Sequence, residues 1–341
     1  MNSSRVVTIK DIANEMGISI STVSRALSGN TNIAEKTRIR IKQVAERLGY
    51  SPNQTAISLK QGHSHTVGVI LPDMEDTFFY EIFISINRTL YEAGWTTFVV
   101  FSEEDVRKEL VCLETMEKYK VDGIIMCVCD ANYNSKKIQE MIDRGFKFVF
   151  FDRSPLLPNI TRIEIDNERY MFFLVQHLIE QGYKRIIYMN SPDSLHYSNA
   201  RLKGYTDAVK KHGLFEESLI FKSNGMKFKD GLELADKIID KIDDVDAIVV
   251  CDDVVAIGVM HKLQKRGIKI PDDVAITGFG GSIINSMVNP EITTVDFPKV
   301  EIGMQAATLI MNKINHNLEQ DFVLNLQAKI QYRASSEREW D

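Results

Sequence analysis

Between Thr8 and Ser28 the chain runs Thr-Ile-Lys-Asp-Ile-Ala-Asn-Glu-Met-Gly-Ile-Ser-Ile-Ser-Thr-Val-Ser-Arg-Ala-Leu-Ser, a stretch that leaves few folds open. Ile9, Ile12, Ala13 and Met16 recur at spacings of three and four, which predicts a short helix capped by Thr8. Gly17 ends it, where a left-handed residue is least costly. Ser19 caps a second helix with Ile18, Val23, Ala26 and Leu27 on its inner face. Its other face carries Ile20, Ser21, Thr22, Ser24 and Arg25: small groups, one cation and no carboxylate. That chemistry suits a helix entering a DNA major groove, where hydroxyls, amides and Arg meet phosphates and base edges. A third helix is expected from Ala34 to Leu48, with Ile39, Ile41, Val44, Ala45 and Leu48 inward and Gly49 as its stop.

The chain of 341 residues carries a net charge of −6, which taken whole argues against nucleic acid. The distribution of that charge points the other way. Up to Thr66 nine Lys and Arg face four acids, so the first segment is +5 and the remainder −11. A small basic module on an acidic body fits a polyanion-binding head joined to something else.

From Val67 the pattern changes to apolar strands alternating with amphipathic helices. Strands are expected at 67–71, 97–101, 123–128, 148–151, 186–189, 219–221, 247–250 and 274–277. Such nearly continuous apolar runs belong to parallel sheets covered on both faces. The alternation is too long for one lobe, and Arg162–Asp166 and Thr293–Pro298 read as passages between two. The expected fold is therefore α/β: a small all-α helix-turn-helix head and hinge, then two doubly wound parallel-sheet lobes. We place the head at 1–51, the hinge at 52–66, one lobe at 67–165 plus 296–322, and the other at 166–295 plus 323–341. Open parallel sheets bind ligands beyond the carboxyl ends of their strands, so two facing sheets make a closable cleft.

Over nearly its whole length the chain resembles the LacI/GalR transcriptional repressors. Thr-Ile-Lys-Asp-Ile-Ala (8–13), Gly-Ile-Ser (17–19), Ser-Thr-Val-Ser-Arg (21–25), Glu-Lys-Thr (35–37), Leu-Gly-Tyr-Ser-Pro-Asn (48–53) and Ser-Leu (58–59) carry the likeness in the head. Phe-Phe-Asp-Arg (150–153), Asn-Ala-Arg-Leu-Lys-Gly-Tyr (199–205) and Asp-Asp-Val-Val-Ala-Ile-Gly (252–258) carry it in the body, which resembles ribose-type periplasmic sugar-binding proteins (type I). The resemblance implies that Ile20, Ser21 and Arg25 face base edges, while Ser19, Thr22, Ser24 and Asn53 hold phosphates. Thr8 belongs to the same DNA-binding set. It also implies that a leucine in the place of Leu59 wedges into a kinked minor groove, with Ala56 and Leu59 pairing across a dimer. Gln54–Lys60 alone is too short to be a stable helix, so it would need both a second copy and DNA.

The same resemblance implies an effector site. Phe78 and Phe79 stand where relatives sandwich a sugar, with Asp76 just before them; Asp152, Arg153, Tyr197, Arg201 and Asp252 fall at or near strand ends. Carboxylates, guanidinium groups and flat aromatic faces suit a saccharide. Plainer roles stay open: Asp252 or Asp253 as a helix cap, Phe79 as core, Asp152–Arg153 as a structural pair. Two positions depart from the family pattern. Gly280 stands where an aspartate is usual, and Met226 where an aromatic is common.

The expected partners are an operator duplex, a small-molecule effector and a second copy of the chain, with no cofactor and no membrane. The alternative is a partner protein docking on the body as co-regulator, on surfaces around Val300–Asn315 and Tyr80–Ala93. No signal-peptide core or membrane-length apolar run occurs. Cys112, Cys127, Cys129 and Cys251 are scattered. Cys127 and Cys129, two apart in an apolar run, read as core thiols, and neither a zinc site nor a disulfide framework is indicated, as expected of a reducing cytoplasm. An enzyme is not indicated, because no P-loop, metal spacing or nucleophile–base constellation is found. The absence of a leucine-heptad tail after Tyr332 favours a dimer over a tetramer.

Overall fold

A computed structural model describes residues 7–28, 31–51, 63–74, 77–193, 195, 197–318 and 320–338. The chain divides into two compact units between Ser64 and His65. The first contains α1 (Ile9–Met16), α2 (Ile20–Leu27) and α3 (Glu35–Leu48). The Asp11 carboxylate closes the start of α1 by accepting from the Thr8 amide at 2.8 Å and the Thr8 hydroxyl at 2.7 Å. Gly17 takes φ 66°, ψ 31° at the C-terminus of α1, the left-handed geometry its place in the sequence requires. Ile12, Ala13, Val23, Ala26, Ile41 and Ala45 make the buried centre of this unit. Ile39 does not join them and is 51% exposed. Two residues from Ile41 on a helix of 3.6 residues per turn, it points to nearly the opposite side.

The second unit holds two six-stranded sheets. The first has strand order β11 (Val323–Leu326), β5 (Arg162–Ile165), β4 (Phe148–Phe151), β3 (Gly123–Met126), β1 (Thr66–Leu71), β2 (Thr96–Phe101), all parallel. The second has β12 (Lys329–Gln331), β10 (Thr293–Asp296), β9 (Ala275–Gly280), β8 (Ala247–Val250), β6 (Ile186–Asn190), β7 (Ile220–Lys222), with only β12 antiparallel. Side chains alternate between two cores, as the period of two demands. Val149 and Phe151 face one core, Phe148 and Phe150 another; Ala247 and Val249 face one, Ile248 and Val250 another. The first sheet is covered by α4 (Thr77–Glu92) and α11 (Lys299–Ile314) on one side, and by α5 (Val106–Tyr119) and α6 (Ser135–Asp143) on the other. The second lies between α7 (Asn167–Glu180) with α8 (Ser198–Lys211), and α9 (Phe228–Ile238) with α10 (Asp253–Lys265). Both lobes are thus doubly wound, as the apolar strands predict.

Both expected passages contain strands, β5 and β10, and the chain leaves each at its carboxyl end to enter the other lobe. The third passage lies later than the sequence boundary at 322/323. Val323–Leu326 pair with Arg162–Ile165 in the first sheet, so the crossing falls between Leu326 and Lys329. This edge strand is largely exposed, with only Leu326 buried, and so lacks the apolar run that marks the inner strands. Asp296 likewise pairs with Gly280 and Lys329 in the second sheet, so the middle crossing follows it.

Beside β3, Glu109 of α5 is fully buried. It accepts from the Cys129 amide at 2.6 Å and from Asn134 Nδ2 at 2.6 Å, and burial pushes its carboxyl above the usual range. All four cysteines are free and buried, and no helix among the described residues is long and apolar enough to cross a membrane.

Candidate functional site

On α2 the buried residues Val23 and Ala26 fix the helix by one face, leaving Ile20, Ser21 and Arg25 exposed and Thr22 and Ser24 half-buried on the other. Ser19 accepts from the Thr22 amide at 3.1 Å, and its hydroxyl lies 2.8 Å from both Ser21 Oγ and Thr22 Oγ1. Three hydroxyls are therefore gathered around the helix N-terminus, where free amides and the helix dipole favour an anion. Arg25 and Ile20 stand in solvent, available to a groove. Asn53, Ala56 and Leu59 lie outside the described residues, as does the expected hinge up to residue 62; its last residues are described, and Thr66 already belongs to β1.

The cleft between the lobes is assembled from strand ends. Phe78 and Phe79 open α4 after β1, Asp152 and Arg153 follow β4, Tyr197 and Arg201 begin α8 after β6, and Asp252 follows β8. These seven expected residues line one cavity. Asp76 lies outside the described residues. Met226 is half-buried and is not among the residues that line the cavity, because its loop follows β7, the edge strand farthest from the crossings. Asp253, Phe279, Gly280, Ser282 and Phe297 complete the lining.

Two guanidinium groups sit in built environments. Arg201, 3% exposed, donates through Nε to Asn167 Oδ1 at 2.8 Å and through Nη1 to the Cys251 carbonyl at 2.6 Å. It is stacked between rings, 3.9 Å from the Tyr197 centroid and 4.0 Å from that of Phe279. Arg153 donates through Nη1 to both Glu104 oxygens at 2.8 Å, lies 3.7 Å from Asp152 and 5.6 Å from the Phe79 ring. Burial is the largest single influence and pulls against its charge, but Glu104, Tyr197, Cys127 and Asp152 together outweigh it and hold the guanidinium protonated. Asp152–Arg153 is a structural pair that also faces the cleft.

The two adjacent acids have separated tasks. Asp252 caps α10, accepting from the Val254 and Val255 amides at 2.8 and 3.1 Å, yet remains in the lining. Asp253, 2% exposed, accepts from the Ser282 amide and the Thr294 hydroxyl, each at 2.7 Å. Burial raises its pKa against those bonds. Gly280 has φ 133°, and a Cβ there would lie 3.4 Å from Asp253 Oδ2. The place usually held by a carboxylate is therefore open, with another carboxylate directly behind it. Phe279 and Phe297 are not singled out by the sequence; Phe279 lies at the end of β9 and Phe297 just after β10, and that place is the one signal available. Aromatic edges meet at 5.4 Å for Phe78–Phe297 and 5.7 Å for Phe279–Phe297. They leave about 30 Å³ of room for the centres of water-sized molecules. No His, Cys, Asp and Glu grouping fit for a metal ion occurs among the described residues.

Residues 8–53 match the family of bacterial regulatory proteins, lacI family, and residues 64–334 match periplasmic binding proteins and sugar binding domain of LacI family. The chain is 31% identical to catabolite control protein A of Priestia megaterium over 97% of its own length and 99% of that protein's. It is 27% identical to the HTH-type transcriptional repressor CytR of Escherichia coli (strain K12), over 90% and 89% of the two chains. Among solved structures, a lac repressor dimer bound to operator and the anti-inducer ONPF superposes with a TM-score of 0.86 at 18% identity, covering 98% of this chain and 100% of that one. The transcriptional regulator CelR in complex with cellobiose gives 0.72 at 23%, covering 96% and 99%; at these identities both speak for fold alone. With the head, both lobes and nearly the full length of its relatives matched, the chain belongs to the LacI family of transcriptional regulators, a helix-turn-helix DNA-binding head on a periplasmic-binding-protein-like domain, and is not an enzyme.

Proposed function

We propose that this regulator binds a palindromic operator as a homodimer and represses from it, under the control of a small molecule, a saccharide or sugar derivative, bound between the lobes. The observation that carries the reading is the convergence of Phe78, Phe79, Asp152, Arg153, Tyr197, Arg201 and Asp252 from both lobes on one cleft. Flat rings beside hydrogen-bonding carboxylates and guanidinium groups are the chemistry of sugar recognition, and the CelR relative is in complex with cellobiose. Ser19, Ile20, Ser21, Thr22, Ser24 and Arg25, with Thr8, Asn53, Ala56 and Leu59, would form the DNA-contacting set. A ligand that binds one lobe arrangement more tightly by ~3 kcal/mol shifts occupancy about a hundredfold. The test is a saccharide library screened for thermal stabilisation of the full chain, with each hit titrated against operator binding at several salt concentrations. A hit that stabilises the protein and changes operator affinity supports the reading; stabilisation with no change in operator affinity overturns the coupling.

A second reading has support of its own. The space of about 30 Å³ is far below what a monosaccharide fills, and the chain's own rings occupy the cleft. A partner protein on the first lobe would need no such space. Tyr80 on α4 and Val300 and Met304 on α11 are exposed at 50, 66 and 44% and offer apolar footing. Retention of a partner from cell extract that alters operator binding while no saccharide stabilises the chain would favour this second reading.

A further inference from the structure

Where β9 ends, two residues of the second lobe, Gly281 and Ser282, reach over to the first. Ser282 Oγ lies 2.9 Å from the hydroxyl of Thr77, the first residue of α4. Lys299, the first residue of α11, donates through Nζ to the Gly281 carbonyl at 2.6 Å and to Asp296 Oδ1 at 2.9 Å. The same loop is tied to its own lobe by the Ser282 amide on Asp253 and the Gly281 amide on Thr294 Oγ1 at 3.3 Å. Gly281 has φ 76°, and a Cβ there would lie 2.1 Å from Asp296 Oδ1. Only glycine lets the loop lie flat on the Asp296–Lys299 pair.

We infer that Gly280–Gly281–Ser282 is a strap that fastens the lobes together, with Thr77 and Lys299 as its two anchors. Lys299 is 6% exposed, so its ammonium has given up water for two protein oxygens. Both stand on second-lobe strands or their ends, but Asp296 lies three residues before Lys299 at the crossing, so the Gly281 carbonyl is the partner that opening separates. Parting the lobes removes that partner and exposes the ammonium to water, so opening exchanges a charge-assisted bond for hydration. The hydroxyl pair at Thr77 and Ser282 adds a second fastening across the cleft. A carboxylate in the place of Gly280 would serve only a bound ligand; here the segment joins protein to protein. Opening the cleft requires the strap to be undone. This holds whichever molecule the cleft takes.

The test is cross-linking of the full-length, ligand-free double variant Thr77→Cys, Ser282→Cys. Two hydroxyl oxygens 2.9 Å apart give way to sulfurs within disulfide reach. Oxidised glutathione takes the two electrons and two protons of the pair and leaves as two reduced thiols. The four native thiols stay out of the reaction, since all are buried and burial pushes Cys112 up to about 11 and Cys251 up to about 12. Near-complete formation of the 77–282 bond, read by thiol titration and peptide mass, is the expected result. Adding Lys299→Met should slow it about tenfold, as fits the loss of charge-assisted bonds. Absence of the bond in a protein that still melts cooperatively, or an unchanged rate with Lys299→Met, overturns the strap. Should the double variant fail to fold, hydrogen exchange at the Ser282 amide decides. Lys299→Met alone is expected to speed it about tenfold, and unchanged exchange refutes the inference.

Discussion

On α2, Ser19, Ile20, Ser21, Thr22, Ser24 and Arg25 are neighbours in sequence, and the helix needs only Val23 and Ala26 to hold it. In the cleft, Phe79, Arg153, Arg201, Asp253 and Phe297 come from five distant segments and are each less than a tenth exposed. Ser19 apart, which caps the helix, the first surface is side chains set on a small scaffold that does not depend on them. The second is made of groups that also hold the lobes together. A substitution on α2 should therefore change recognition and spare stability, whereas one in the cleft should change both.

Arg201→Ala tests the cleft side most severely. It strands Asn167 Oδ1 and the Cys251 carbonyl in a buried site and removes the cation between Tyr197 and Phe279. A loss of about 2–4 kcal/mol in urea denaturation is expected, together with loss of any effector response, while operator affinity in the absence of effector is retained. A midpoint unchanged within about 0.5 kcal/mol would break the claim that recognition and stability share residues here.

Gly280→Asp restores the residue usual at that place. The backbone there, at φ 133°, is one that side chains rarely adopt, and the new carboxylate would meet that of Asp253. A destabilisation of about 1–3 kcal/mol is expected, with no gain in saccharide binding by calorimetry. Stability at the parental level with new sugar affinity would mean that the glycine is a simple deletion of a ligand group.

Arg25→Ala is the counterpart on α2. It should weaken operator binding by about 1–3 kcal/mol if the guanidinium reads a base, with relaxed preference at that base pair. If it holds a phosphate, the loss is uniform across sequences and the salt slope falls by about one. Thermal stability should stay within about 0.5 kcal/mol in either case. A marked drop in stability would erase the contrast between the two surfaces.

The same contrast governs what the sequence reveals. Caps and turns act over three or four residues, so Thr8, Gly17, Ser19 and the faces of α1 and α2 were legible directly. The inner strands follow from apolar runs, and the cleft residues follow from the family resemblance, whose positions fall at the carboxyl ends of parallel strands. Long-range pairing was harder. Val323–Leu326 has the exposed pattern of an edge and pairs with β5 across more than a hundred residues, so nothing local announces its lobe. Phe297 looked like connecting chain, yet it stands against Phe78 and Phe279. Asp252 and Asp253 were indistinguishable until burial gave one the helix cap and the other the Ser282 loop.

Glu109 carries the smallest expected effect and extends the comparison to a buried charge outside both surfaces. Burial raises its pKa in the folded chain above the ordinary 4.5, despite bonds from Asn134 and Cys129. Between that ordinary value and the raised one, the native protein binds more protons than the unfolded one, so stability falls as pH rises through the window. Asp253 acts in the same sense, while the half-buried Asp105 and Glu117, whose pKa values are lowered, act in the opposite sense at lower pH. Glu109→Gln keeps an acceptor for the Cys129 amide but sets its own amide against Asn134 Nδ2, which must turn. The variant is therefore expected to be slightly less stable than the parent at pH 4 and to close that gap as pH rises. The difference between the two urea-unfolding curves, measured at each pH, cancels the titrations they share. A difference that does not change with pH would mean that Glu109 is ionised in both states, and that the lobe carries its buried charge without penalty.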